Sequence, residues 1–196
     1  MNDFSRSELI VLDACVIAGS VRRHVLTSLA EAGGFSPLVS VRILHEARRA
    51  IPKTLKNADM GASEKLRRAD HAIDNFLQKF PTAQREQLSD HEPVGLPDPD
   101  DEHVVALALS AGAQIIVTEN LKDFPAKRLK PMGLLASNTD RFVSEILAAR
   151  PELVSDTAHK LDQALQEEFG EARNLHQTLI KVGLKRTAGT LSPNPR

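Results

Sequence analysis

The chain has 196 residues, 41% of them hydrophobic, and a formal net charge of -1. That length and apolar content suffice for one domain with a buried core, or one domain plus an appendage, and the balanced charge gives no global signal for a nucleic-acid or membrane partner. One cysteine, Cys15, excludes an internal disulfide and suits a reducing compartment; no signal peptide opens the chain and no apolar run reaches membrane-spanning length, so a soluble cytoplasmic protein is expected.

Taken in order, Leu9 to Leu12 is a compact apolar run that stops abruptly at Asp13, the pattern of a buried central strand with a carboxylate at its carboxyl tip. Val21, Val25, Leu29 and Ala32 recur at helical spacing, and Gly33-Gly34 ends that helix. Phe35 to Val39 reads as a second strand. Ser40 is a suitable N-cap for a helix reaching about Ala50, with Ile43, Ala47 and Ala50 as its apolar stripe. Glu46 lies within that stripe, where a glutamate is costly unless paired or metal-bound; the alternative is a rotated helix with Glu46 reaching outward.

Lys53 to Gly61 reads as a polar connector. Ser63 is expected to cap a helix with the face Leu66, Ala69, Ile73, Phe76, Leu77 and Phe80, stopped by Pro81. Pro81 to Leu96 reads as a loop with a short strand near Val94. Asp98, Asp100 and Asp101 then precede Val104, Val105, Ala108 and Ala111 at helical spacing, and Gly112 stops the helix. Gln114 to Val117 is a short apolar strand whose polar exit carries Thr118, Glu119, Asn120 and Asp123. A small edge strand is expected around Gly133 to Ala136, then a helix capped by Asn138 or Thr139 and reaching Ala149. Pro151 opens a further helix whose stripe runs from Leu153 to Phe169 and closes at Gly170; a short helix ends at Gly183, and the tail from Thr187 is expected to be disordered.

Alternating strands and helices over residues 8–149 predict a three-layer α/β/α domain with a central parallel sheet, spanning 1–150, followed by a helical extension over 151–196. In such sheets, chemistry gathers beyond the carboxyl ends of the strands. Asp13, Glu46, Asp98, Asp100 and Asp101 are expected on that edge, with Asn120 and Asp123 beside them. Two carboxylates about 4 Å apart repel by roughly 4 kcal/mol at an effective dielectric near 20. Several in one pocket therefore require divalent cations or raised pKa values. Oxygen ligands without a His or Cys cluster suit Mg²⁺ or Mn²⁺, and such a centre can activate water for phosphodiester cleavage. Each acid also has a plainer reading. Asp98 is a good N-cap, Asp100 complements the helix dipole, Asp13 and Asn120 suit turns, and Asp123 is an ordinary loop charge. Arg48, Arg49, Lys53, Lys56, Lys65, Arg67 and Arg68 form either a solvated face or an RNA-contacting surface.

The segments LIVLDACVI, ILHEARR and LPDPDDEHVVALALSAGAQIIVTENLKDFP together resemble the PIN domain, especially the VapC-type ribonuclease toxins of the longer kind with a helical C-terminal extension. The resemblance covers roughly residues 8–145 and implies a Mg²⁺- or Mn²⁺-dependent endoribonuclease acting on single-stranded RNA. It also implies a cognate antitoxin and a homodimer. Its acids fall on Asp13, Glu46 and Asp101, with Asp98 as helper. Its fourth position falls on Asn120, where many members carry Asp, and Asp123 is the candidate to replace it. Thr-Asn often follows the first Asp in the family; Ala14 and Cys15 stand here, removing a hydroxyl or amide from the site. The alternative is a catalytically weak or inactive PIN-like module that binds RNA or protein. A haloacid-dehalogenase-like phosphatase is disfavoured because Asp13-Ala14-Cys15 lacks the second Asp, and a receiver domain because no Lys ends the late strand.

Overall fold

A computed structural model describes residues 8–55, 60–85, 92–170 and 174–192. In chain order the elements are β1 (Leu9–Leu12), α1 (Ala14–Ala18), α2 (Ser20–Glu31), β2 (Ser36–Leu38), α3 (Val41–Thr54), α4 (Ala62–Lys79), α5 (Glu102–Ala111), β3 (Ile115–Val117), α6 (Ala126–Leu129), β4 (Leu135–Ser137), α7 (Thr139–Ala149), α8 (Val154–Phe169), α9 (Leu175–Lys181) and α10 (Lys185–Leu191). Short 3₁₀ turns at Pro99–Asp101, Lys130–Met132 and Pro151–Leu153 lead into or out of helices. The strand order is β2-β1-β3-β4. β1 pairs parallel with β3, and β3 parallel with β4, in the register Leu12–Val117 and Val117–Ser137. The fold class is the one expected: an α/β fold on a central parallel sheet, with helices at the carboxyl end of the chain.

By internal contacts the chain forms two compact units, each drawn from separated segments. One comprises Leu9–Gly19 and Pro37–Ser137, the other Ser20–Ser36 and Asn138–Arg196. In the first, β1 and β3 are apolar on both faces: Ile10, Val11, Leu12, Ile115, Ile116 and Val117 are all buried. α5, in which Val104, Leu107 and Ala108 are fully buried, packs on β1 and β3, and α3 packs on α1 and α4. The Ser40 hydroxyl caps α3 by accepting from Ile43 N at 3.2 Å. Gly112 closes α5 at φ 69, a left-handed position that a residue with a Cβ occupies only at a cost.

The second unit contains α2, α7, α8, α9 and α10. Phe35 and Phe142 meet edge to face at 5.2 Å. Glu168 of α8 accepts from Ser20 Oγ at 2.6 Å and from Arg23 at 3.3 Å, and pairs with His24, tying α8 to α2.

Several sequence expectations are corrected. α3 continues to Thr54 rather than stopping near Ala50, because buried Ile51 extends the Ile43–Ala47 stripe by another turn. α4 begins at Ala62 with Gly61 at its N-cap, not at Ser63, the Lys65 N–H already reaching Gly61 O at 3.1 Å. No strand forms at Val94, whose N–H is taken by Glu102 Oε2 at 2.9 Å. The tail from Thr187 is helical as far as Leu191. Asp140 accepts from Arg186 N and Thr187 N at 3.1 and 2.9 Å, and Thr187, Ala188 and Leu191 are buried. Part of the 53–61 connector, with Lys56, and part of the 81–96 loop lie outside the described residues. Among the described residues, no helix is long and apolar enough to cross a membrane.

Candidate metal centre

The sheet register builds the first part of the site. Leu12 lies beside Val117, so the next residues, Asp13 and Thr118, leave the sheet together at its carboxyl edge. Asp13 N donates to Val117 O at 3.0 Å, and Thr118 N donates to Ser137 O at 2.9 Å, which continues the ladder one step past the strands. The fully buried Thr118 hydroxyl donates to Asp13 Oδ2 at 2.6 Å. The Cys15 thiol donates to the same oxygen at 2.9 Å. Asp13 also stands at the N-cap of α1, a short helix not anticipated from the sequence, but its side chain makes no capping bond. Its carboxylate is thus held through Oδ2, and Oδ1 is left to other partners.

Cys15 occupies the position where a hydroxyl or amide was noted as missing. Thr118 supplies the hydroxyl from the neighbouring strand instead, and it also accepts Asn120 N at 3.0 Å. Cys15 Sγ in turn accepts Glu119 N at 3.3 Å. Burial, reinforced by the charge of Asp13, pushes the thiol up to about 12, so Cys15 acts here as a neutral donor.

The second part comes from the turn before α5. Asp98 caps the Pro99–Asp101 turn by accepting Asp100 N on Oδ1 at 3.0 Å. Asp101 follows at the N-cap of α5 with no capping bond from its side chain. Glu102 is the anchor of the approach: its two oxygens accept Leu96 N at 2.7 Å and Val94 N at 2.9 Å. The polar exit of β3 completes this side. Asn120 Nδ2 donates to Asp123 Oδ2 at 2.6 Å, so the amide at the family's fourth position orients an acid three residues later. Asp98, Asp101 and Asp123 each offer an oxygen, and these atoms lie within 4.8 Å of one another.

Asp101 is the electrostatic focus. Its Oδ2 is buried with no hydrogen-bond partner. Burial and then the charges of Asp13, Asp98, Asp123 and Glu46 push its carboxyl up to about 6. A buried carboxylate oxygen without a donor, close to further carboxylates, has the chemistry of a ligand for a hard cation. The donor set is oxygen-rich and fits a hard divalent ion.

Glu46 sits on α3, half-buried. Arg42 Nε donates to its Oε1 at 3.0 Å, and His103 Nε2 of α5 approaches the same oxygen to 3.2 Å. The second approach is an ion-pair contact between the buried imidazole and the carboxylate. Burial holds the imidazole below its usual range, against the opposite pull of Glu46. Arg42 also reaches Asp100 O at 3.0 Å, linking α3 to the acidic turn.

Of the residues singled out from the sequence, Asp98, Asp101 and Asp123 come together directly. Asp13 and Glu46 lie close enough to act on the Asp101 carboxyl, and Asn120 holds Asp123. Arg48 is engaged elsewhere, in an ion pair with Asp70 of α4, and Arg49 is exposed. From the sequence, Thr118 is visible only as part of the polar exit of β3 and Cys15 only as a departure from the family pattern, and Arg42 and His103 give no signal. Thr118 had a visible signal, a buried polar residue just past an apolar strand, whereas the approach of His103 to Glu46 depends on how two helices pack.

A parallel α/β sheet carrying convergent carboxylates beyond its strand ends is an arrangement with the oxygen ligands to hold a divalent ion for hydrolysis. The family model for the PIN domain matches residues 9–122, more than half of the chain and the whole span from β1 to the exit of β3. The chain belongs to the PIN domain family, whose members are generally nucleases and typically use divalent metal ions. No curated protein and no solved structure matches the chain.

Proposed function

We propose that this protein is a metal-dependent endoribonuclease that cleaves phosphodiester bonds in single-stranded RNA. One observation carries the reading: the buried, partnerless Asp101 Oδ2 within a group of four further carboxylates. Asp13, Glu46 and Asp101 are the proposed ligands, with Asp98 and Asp123 as additional ones and Asn120 as the residue that orients Asp123. Mg²⁺ or Mn²⁺ bound there supplies charge neutralisation and Lewis acidity toward the phosphodiester. The protein's own part is to fix the ligands beforehand. Thr118 and Cys15 hold Asp13, Arg42 holds Glu46, and the N–H of Asp100 holds Asp98. Arg48 and Arg49 are proposed to meet the RNA backbone at the margin of the site, Arg48 after exchanging Asp70 for phosphate.

The biological setting we propose is that of a type II toxin, cytoplasmic and dimeric, neutralised by a cognate antitoxin. Residues 1–150 would serve as the nuclease part and 151–196 as a helical extension. A catalytically weak PIN-like binding module is the competing reading, favoured by Asn120 at the fourth acidic position.

The deciding assay incubates the full chain with single-stranded and structured RNAs in Mg²⁺, Mn²⁺ or EDTA, beside Asp13→Asn and Asp101→Asn. Metal-dependent cleavage of single strands that both substitutions abolish is expected. Absence of cleavage in every metal, or cleavage that survives both substitutions, refutes the nuclease reading. Normal growth when the chain is induced without its genomic neighbour refutes the toxin role.

A further inference from the structure

A pocket of about 190 Å³ opens beside the acids. One wall is a face of α5, where Glu102, Val105, Ala106 and Leu109 recur at helical spacing; the other is the 92–94 segment. The two walls are fastened together, because Glu102 accepts Val94 N at 2.9 Å and Leu96 N at 2.7 Å. Arg42 and His103 complete the lining, and both also meet Glu46, Arg42 Nε at 3.0 Å and His103 Nε2 at 3.2 Å. The pocket therefore borders the acid centre without being part of it. It is too small for a drug-sized ligand, which needs at least about 300 Å³, but has room for a single planar ring system.

The lining selects the occupant. Val94, Val105, Ala106 and Leu109 offer apolar surface, while Arg42 and Glu92 add a donor and an acceptor of opposite charge. An anion is disfavoured, because Glu46 and Asp100 already offset Arg42, and Glu92 and Glu102 would repel it. A plain hydrocarbon would strip water from Arg42 and Glu92 without replacing its hydrogen bonds. A neutral planar ring with donors and acceptors on its edge meets both demands, and that is a nucleobase. Guanine matches most fully: two adjacent N–H groups suit a carboxylate, and O6 and N7 suit a guanidinium. Arg42 spends Nε on Glu46 and Nη2 on Asp100 O, which leaves part of its donor fork available. We infer that this pocket takes one unstacked base of the RNA strand, at a nucleotide flanking the scissile phosphate, and that Arg42 and Glu92 select guanine there. The inference rests on the nuclease reading for its substrate and adds to it a base-recognition subsite. It also gives a reason for single-strand specificity, since a base held in a duplex cannot be splayed into a pocket.

The test has a binding arm and a cleavage arm, both on the full chain. In EDTA, the four ribonucleoside monophosphates are titrated while backbone amide resonances are followed. Guanosine monophosphate is expected to shift Val94, Val105 and Ala106, and to bind at least about fivefold more tightly than the other three. In Mn²⁺, single-stranded RNAs differing only in the base beside the cut are compared by kcat/KM. Glu92→Gln, an exposed change, is expected to lower the preference for guanine about tenfold while cleavage at the other bases stays as in the parent. Ala106→Met, which fills the pocket, is expected to raise KM for the guanine strand with kcat near that of the parent. Should Ala106→Met fold poorly, Glu92→Gln and the nucleotide titration decide the matter. Metal- and Asp101-dependent cleavage that is blind to the neighbouring base and unaffected by Glu92→Gln overturns the subsite and leaves the nuclease reading standing. Shifts with guanosine monophosphate that Glu92→Gln abolishes, in a protein that cleaves no RNA, support the pocket and overturn the nuclease reading. Absence of both shifts and base preference refutes base recognition here, including the case in which a side chain of a protein partner fills the pocket.

Discussion

Replacing Asp101 by Asn should make the metal-free protein more stable while destroying its activity. The folded-state carboxyl is raised from 3.8 to about 6, chiefly by burial and then by the acids around it. For a carboxyl whose pKa is raised, the folded state binds the extra proton between those two values, so stability falls as pH rises through that interval. Below about pH 4 the group is protonated in both states and costs nothing; above about pH 6 the whole penalty is present. At about 1.4 kcal/mol per tenfold change in proton affinity, the full penalty is about 3 kcal/mol. Asp101 is only half-buried, and solvent screening reduces that to about 1–2 kcal/mol. A neutral amide of the same shape escapes it. Urea denaturation in EDTA at pH 8 should therefore show Asp101→Asn more stable than the parent by about 1–2 kcal/mol, or about 3–6 °C in Tm. The advantage should shrink through pH 5 and vanish near pH 4. Saturating Mn²⁺ at pH 8 should reverse the order, because only the parent gains binding energy. Equal or lower stability of Asp101→Asn at pH 8, or a gain independent of pH, would refute the electrostatic account of this site.

Thr118→Val keeps the buried shape but removes the hydroxyl from Asp13 and from Asn120 N; a loss of about 2 kcal/mol in urea is expected, with weaker Mn²⁺ binding, and a change under about 0.5 kcal/mol would show the bond to be incidental. Cys15, held up to about 12 by burial and Asp13, should react with a thiol-specific reagent at pH 8 on the order of a thousandfold more slowly than in denaturant. Asp13→Asn should speed it, and a native thiol as reactive as the denatured one contradicts this. Glu102→Ala strips both acceptors from Val94 N and Leu96 N. Hydrogen exchange at these two amides should rise with a stability loss of about 2–3 kcal/mol, and unchanged protection there would show that other contacts hold the approach to Asp98.

Much of this protein follows from local sequence alone. An apolar run too short for a helix, ended by a charge, gives β1 and Asp13 without any knowledge of neighbours. Helical spacing and stop signals give α3, α5, α7 and α8 to within a few residues, because a buried stripe and a cap are properties of the segment itself. Clustered acids at Asp98 to Asp101 likewise point to an N-cap and a candidate site together; Asp98 caps, and Asp101 has a buried oxygen without a hydrogen-bond partner. What tertiary structure decided is the pairing. Only the β1–β3 register sets Thr118 against Asp13 across 105 positions of chain, and only helix packing brings His103 of α5 to Glu46 of α3. The same holds at the end of the chain, where a turn-rich tail becomes α10 because Asp140 offers its carboxylate to two backbone N–H groups. Propensity and periodicity act over a few residues and so are written in the segment. Which oxygen keeps a donor and which has none depends on partners distant in sequence, and folding alone brings them together.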